Sequence, residues 1–133
     1  MKNIKIILLT AAISGALVVG LGAVGSHVLG DLLISNERTD TYLTAIRYHS
    51  FHTIALLCFG ILSRLIHSEF ITRGIYLMIA GMVLFSGSLY LLSLYDKIWF
   101  AYITPVGGIL LILSWMTLFY GIYQGKWTVN NRE

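Results

Sequence analysis

The sequence predicts an all-α integral membrane protein: an antiparallel bundle of four transmembrane helices, with an outer interfacial segment between helices 1 and 2. Of its 133 residues, 57% are hydrophobic and only 11% are charged, whereas soluble domains typically carry about 25% charged residues. Four apolar segments approach or exceed the roughly 20 residues that a helix needs to cross a bilayer. We therefore expect one membrane domain over residues 1–127, followed by a short polar cytoplasmic tail, residues 128–133.

The charged residues delimit the spans. We predict them at about residues 6–27, 42–66, 74–95 and 98–123. The first span could instead be a cleaved signal peptide, because Lys2 and Lys5 precede it. A signal hydrophobic region is only about 7–15 residues long, so the longer apolar run here favours a retained helix.

Loop charges predict the orientation of the bundle. With four spans, both termini lie on one face. The cations expected on that face are Lys2, Lys5, Arg64, Arg73, Lys126 and Arg132. The opposite face would carry Arg38, Arg47 and Lys97. Because cytoplasmic loops carry the excess of Lys and Arg, we expect both termini in the cytoplasm.

The long connection, residues 28–46, is predicted to lie in the outer membrane interface. Apolar residues alternate there with acidic ones, a pattern typical of interfacial segments. We expect Asn36 to cap a helix whose first turns carry Glu37 and Asp40. One long helix would then begin in the interface and continue through the second span.

Small residues are expected where helices cross, because packing in lipid requires close approach of the backbones. The predicted packing residues are Ala12, Gly15, Ala16, Gly20, Gly22, Gly87, Gly107 and Gly108. Pro105 lies inside the fourth span and removes one helical hydrogen bond, so we expect a kink there.

Polar residues from all four spans are predicted to share one layer in the outer half of the bundle. The predicted cluster is His27, Arg47, His49, His52, Ser86, Ser88, Tyr90, Thr104 and Pro105. Hydrogen bonds between helices would explain most of these residues. Because ionisable residues within a span indicate a functional site, a small outer pocket for a solute, a lipid head group or a proton is an alternative.

Catalytic and metal chemistry are weaker alternatives. His27, His49 and His52, with Asp31 or Asp96, would form a zinc site only if they met at tetrahedral geometry. The sequence contains a single cysteine and no HExxH pattern. Haem ligation by two histidines, or a serine nucleophile beside His52, also stays open. We assign no catalytic residue, no metal and no cofactor.

Four stretches resemble a known family, the domain of unknown function 423 family. They are "GAVGSH" (22–27), "YLTAIRYHSFHTIALL" (42–57), "GMVLFSGSLYLLSL" (81–94) and "ITPVGGILLILSW" (103–115). The family comprises small bacterial inner-membrane proteins and resembles the animal transmembrane protein 256. The resemblance covers about residues 6–120 and implies four membrane helices with no established activity.

The family motif falls on particular residues of this chain. By resemblance, its positions are Gly22, Gly25, His27, His52, Ser86, Gly87, Ser88, Tyr90, Thr104, Pro105, Gly107 and Gly108. Arg47 and His49 fall where the family pattern is looser and glutamine is common. The resemblance therefore emphasises His27 and His52.

These observations predict a small multi-pass protein of the bacterial cytoplasmic (inner) membrane. We expect a non-enzymatic binding, transport-accessory or assembly protein. The alternative is a membrane enzyme, or a metal- or haem-binding protein, that uses His27 and His52. Expected partners are the lipid bilayer and either further copies of the chain or another membrane protein. No basic cluster indicates nucleic-acid binding.

Overall fold

The computed structural model describes residues 2–128, which form five helices and one short pair of strands. The elements are α1 (Lys2–His27), α2 (Gly30–Ser35), α3 (Thr39–Leu62), β1 (Ile66–His67), α4 (Glu69–Tyr95), α5 (Trp99–Gln124) and β2 (Lys126–Trp127). Four helices are long and apolar enough to cross a membrane: Ile4–His27, Thr39–Leu62, Glu69–Tyr95 and Trp99–Gln124. The number of predicted spans is thus confirmed. Of the predicted tail, residues 129–133 lie outside the described residues.

The second span ends earlier in the sequence than we predicted. Its helix stops at Leu62 instead of continuing to residue 66. The backbone of Ile66 pairs instead with Trp127, in the antiparallel β1–β2 ladder. Thr128 N donates to Leu65 O at 2.9 Å beside this ladder. The α3–α4 connection is therefore bonded to the end of the described chain.

The predicted long helix that begins in the connection and continues through the second span is α3, which carries Asp40 in its first turn, but it begins at Thr39 and without the predicted Asn36 cap. Glu37 has a φ of 54°, a left-handed conformation that interrupts a right-handed helix, so α2 and α3 are separate. Asn36 does not cap α3, whose N-cap is Arg38. The Asn36 Nδ2 atom instead donates to Ser93 O (3.0 Å) and Leu94 O (3.3 Å) at the end of α4.

The main helix contacts link α1 with α3, α3 with α4, and α4 with α5. Glycines mark where α4 and α5 approach most closely. A Cβ added to Gly81 would lie 2.9 Å from Leu111 N, and one added to Gly107 would overlap the backbone of Phe85. Residues further along α4 thus contact residues earlier in α5.

The buried face of α1 differs from the face that small residues predicted. Ala12, Ala16 and Gly20 are exposed, whereas Ala11 and Ser14 are buried. A Cβ added to Gly20, Gly22 or Gly87 would meet no atom within 4 Å. The buried row of α1 also contains Ile7 and Val18, and it includes Ser14, whose hydroxyl finds polar partners on α3.

The remaining predicted packing residues do lie at helix contacts. A Cβ on Gly15 would be 3.8 Å from the Thr53 methyl group, and one on Gly108 would be 3.6 Å from the Phe85 ring. Only Gly107, among the eight predicted packing residues, lies where any side chain would overlap a neighbouring backbone.

Candidate functional site

The predicted polar residues separate into three groups on different sides of α3 and α4. The first group is a buried hydrogen-bond network that joins α1, α3 and α4. The second lines a groove between α3 and α5. The third is a serine–threonine pair between α4 and α5.

His49 lies at the centre of the first group, which we call the three-helix network (Ser14, His49, Thr53, Met82 and Tyr90). Its Nε2 atom is 2.9 Å from Ser14 Oγ, and its Nδ1 atom is 3.2 Å from the Tyr90 hydroxyl. Ser14 Oγ is also 2.6 Å from Thr53 Oγ1. Both hydroxyls lie 3.8 Å from Met82 Sδ, a weak acceptor. A neutral imidazole provides one donor and one acceptor, so these two contacts satisfy His49.

Sequence reasoning ranked His49 below His52 and missed Ser14 and Thr53. Thr53 stands four residues after His49, a spacing that places both side chains on one helix face. That spacing could have identified Thr53. Ser14 carried no comparable signal, because it lies among many small residues of α1.

His52 faces α5, and both of its ring nitrogens have hydrogen-bond neighbours. The Tyr48 carbonyl oxygen, 2.8 Å from Nδ1, can only accept, so Nδ1 carries the proton. Trp115 Nε1 then donates to His52 Nε2 at 3.3 Å. The Trp115 ring also packs against Phe51 and Phe59. No lone pair of His52 is free in this arrangement to bind a metal ion or accept a substrate proton.

The α3/α5 groove is an open, mostly apolar cavity of about 640 Å³. It is lined by Arg47, Tyr48, Phe51, His52, Phe85, Gly108, Leu111, Ile112 and Trp115. Arg47 is the only formally charged residue of this lining. Within residues 2–128 its side chain forms no ion pair.

The third group joins α4 to α5 near Pro105. Ser88 Oγ is 2.8 Å from Thr104 Oγ1, and each hydroxyl also lies near a carbonyl oxygen of its own helix, Phe85 O at 3.0 Å and Phe100 O at 3.3 Å. Because a hydroxyl has one proton, one of the two donates to the other hydroxyl and the second donates to the carbonyl of its own helix. Pro105 itself is exposed. Neighbouring Ser86 faces a different cavity, between α1 and α4.

His27 does not join any of these groups. It is exposed at the end of α1. Contacts between Gly25 and Tyr42 and between Gly60 and Ile7 set the register of α1 against α3. That register places His27 level with about residue 40, so His52 lies about 18 Å further along α3 at about 1.5 Å per residue.

The geometry does not assemble the metal or catalytic sites that the sequence left open. Over the described part of the chain, no three His, Cys, Asp or Glu side chains are placed to hold a metal ion. Ser86 and His52 line different cavities, so they do not form a nucleophile–base pair. What the site residues do chemically is to hydrogen-bond one helix to another and to line two grooves.

Comparison with known proteins identifies the family. The family described as "Protein of unknown function (DUF423)" matches residues 21–108. The UPF0382 membrane protein YwdK of Bacillus subtilis is 37% identical over 86% of this chain and 93% of its own length. The UPF0382 inner membrane protein YgdD of Escherichia coli K12 is 38% identical over 92% of each chain. A UPF0382 membrane protein of Haemophilus influenzae is 36% identical over 95% of this chain and 98% of its own.

No solved structure matches this chain. The family match spans most of the polar residues described above, and the relatives are aligned over nearly their whole length. The chain is a small membrane protein and belongs to the DUF423 family.

Proposed function

We propose that this chain is a non-enzymatic lipid-binding protein of the bacterial cytoplasmic membrane, and that its α3/α5 groove binds an anionic phospholipid. The observation that carries this proposal is the position of Arg47 in the groove. Its guanidinium is the only charge in a groove whose walls are aromatic and aliphatic, and it has no carboxylate partner within residues 2–128. An ionisable residue within a membrane helix indicates a functional site.

The groove suits an amphiphile with acyl chains. Its volume of about 640 Å³ falls within the range of about 300–1,000 Å³ typical of ligand sites. The exposed side chains of Phe51 and Ile112 give it an apolar wall that faces outward. An acyl chain would pack along this wall while a phosphate accepts two parallel hydrogen bonds from Arg47.

The proposed topology places Arg47 near the outer head groups. We propose four antiparallel spans with both termini in the cytoplasm, as the distribution of Lys and Arg favours. Arg47 would then lie about 12 Å below the outer end of α3, at about 1.5 Å per residue. An arginine at that depth extends its side chain toward the interface.

Two further features support this arrangement of the spans. The β1–β2 pair brings the α3–α4 connection to the end of α5, as four antiparallel spans require. Exposed aromatic residues flank the α4–α5 connection, namely Tyr95, Trp99 and Tyr102. Such residues are enriched at membrane–water interfaces.

Native mass spectrometry of the purified full chain tests the proposal. The protein would be titrated with phosphatidylglycerol and, separately, with zwitterionic phosphatidylcholine. We expect tighter binding of phosphatidylglycerol, and a loss of tenfold or more in Arg47→Gln, because hydrogen bonds to charged groups contribute about 1.5–3 kcal/mol.

Two variants complete the test. Arg64→Gln removes the same charge from an exposed residue outside the groove and should leave binding unchanged. Ile112→Trp adds bulk at an exposed position of the lining and should weaken binding of both lipids. Equal affinities in Arg47→Gln and Arg64→Gln would overturn the proposal.

A further inference from the structure

A second groove lies on the other side of the α3–α4 pair, between α1 and α4. We call it the α1/α4 groove. It is open and has a volume of about 350 Å³. Its walls include Ile13, Leu17, Ile79 and Val83, and no Asp, Glu, Lys or Arg contributes to the lining.

Ser86 is the unusual residue of this groove. Its side chain is almost fully buried, at 2% exposure, yet its Oγ atom has no hydrogen-bond partner among the described residues. The other buried serines, Ser14, Ser88, Ser93 and Ser114, each have a partner. A buried hydroxyl without a partner is costly and calls for an explanation.

The space beside Ser86 is open. Gly87 also lines the groove, and a Cβ added there would meet no atom within 4 Å. Ser86 thus presents an unused donor and acceptor to a cavity with room for another molecule. The Tyr90 hydroxyl on the same lining is already bonded to His49.

We propose that the α1/α4 groove binds a neutral lipid whose hydroxyl or carbonyl oxygen forms a hydrogen bond with Ser86 Oγ. A neutral ligand is required because the lining carries no charge to balance a charged head group. Ser86 also lies about 14 Å from the end of α4 at about 1.5 Å per residue, below the depth of charged head groups. The lipid chain would lie between the apolar walls of α1 and α4.

The site is independent of the α3/α5 groove and of its proposed anionic ligand. Photolabelling of the full chain in phosphatidylcholine nanodiscs tests it, with a diacylglycerol that carries a diazirine on one acyl chain. We expect labelled residues on the facing surfaces of α1 and α4. A phosphatidylcholine probe with the same diazirine reports non-specific contact with lipid.

Substitutions at the two key residues give graded effects. Ser86→Ala deletes a single oxygen atom and should reduce labelling about fivefold, which corresponds to about 1 kcal/mol. Gly87→Leu fills the groove and should abolish labelling, while thermal unfolding shows that it remains folded. Ser93→Ala is the matched control, because the Ser93 hydroxyl bonds its own helix at Leu89 O.

Competition identifies the chemical class of the natural ligand. Unlabelled dioctanoylglycerol offers a hydroxyl and ester carbonyls, whereas a decyl-benzoquinone offers carbonyl oxygens alone. Displacement by either compound supports the site and indicates which oxygen Ser86 binds. Labelling that does not exceed the phosphatidylcholine probe, or that persists in both Ser86→Ala and Gly87→Leu, refutes the proposal.

Discussion

His49 is the residue whose substitution should most destabilise the polar interior. Replacing it with phenylalanine keeps an aromatic ring of similar size but removes the bonds to Ser14 and Tyr90. Hydrogen bonds between membrane helices average about 0.6 kcal/mol each. The Tyr90 hydroxyl would also lose its only side-chain partner among the described residues, which adds a desolvation cost. We therefore expect His49→Phe to lower the free energy of unfolding by about 2 kcal/mol.

Glutamine at the same position should preserve most of this stability. Its amide, like the neutral imidazole, offers both a donor and an acceptor for the Ser14 and Tyr90 hydroxyls. Reversible unfolding in mixed detergent micelles, followed by tryptophan fluorescence, would give the free energies. His27→Phe is the matched control, because His27 is exposed, and its effect should stay within about 0.5 kcal/mol.

A double-mutant cycle isolates the hydrogen bond between His49 and Tyr90. His49→Phe and Tyr90→Phe remove the same hydrogen bond from its two ends, so their effects should be non-additive by at least about 0.5 kcal/mol. Additive effects would show that the 3.2 Å contact contributes nothing. If His49→Gln and His49→Phe are equally destabilising, or if His27→Phe costs as much as either, the hydrogen bonds of the three-helix network do not stabilise the fold.

Four further substitutions test the fold in the same unfolding assay. Gly107→Ala should cost about 2 kcal/mol or more, because its Cβ would overlap the backbone of Phe85; a neutral result would contradict the close α4–α5 approach. Gly87→Ala should be neutral or stabilising by up to about 1 kcal/mol, since its Cβ meets nothing within 4 Å, and a large loss would show that this surface is packed. Asn36→Ala should cost about 1 kcal/mol through two lost bonds to carbonyls of α4. Arg38→Gln breaks only a partly exposed ion pair and should cost less than Asn36→Ala.

The four spans could be predicted from sequence because the bilayer permits few alternatives. Backbone polar groups in lipid must be satisfied within the segment, so a long apolar run indicates a helix. The boundary at Leu62 could not be predicted in this way, because it depends on the pairing of Ile66 with Trp127. The break at Glu37 likewise depends on where the Asn36 side chain finds carbonyls of α4.

The buried face of a membrane helix is harder to predict than its ends. Lipid is as apolar as the protein interior, so hydrophobicity does not distinguish the two environments. On α1, Ala12 and Ala16 looked as suitable for packing as Ala11 and Ser14, yet they are exposed. On the buried face Ser14 finds polar partners on α3, and the sequence pattern does not show which helix will be the neighbour.

His49 and His52 illustrate the same difficulty and also explain the two grooves. Residues three apart in a helix differ by about 60° around its axis at 3.6 residues per turn, which sequence reasoning treats as one face. Because α3 packs against α1 on one side and α4 on another, that angle is enough to separate the two histidines. His49 lines the α1/α4 groove and His52 lines the α3/α5 groove. The two imidazoles thus stabilise opposite sides of one helix pair.

This separation predicts that the two proposed lipid sites act independently. Arg47→Gln should abolish selective phosphatidylglycerol binding and leave diacylglycerol labelling unchanged, because Arg47 does not line the α1/α4 groove. Gly87→Leu should have the reverse effect. Substitutions without shared partners usually combine additively, so the double variant should lose both activities by the amounts of the single variants. If either substitution alone removes both activities, the two grooves form one site, and His49 and His52 do not separate them.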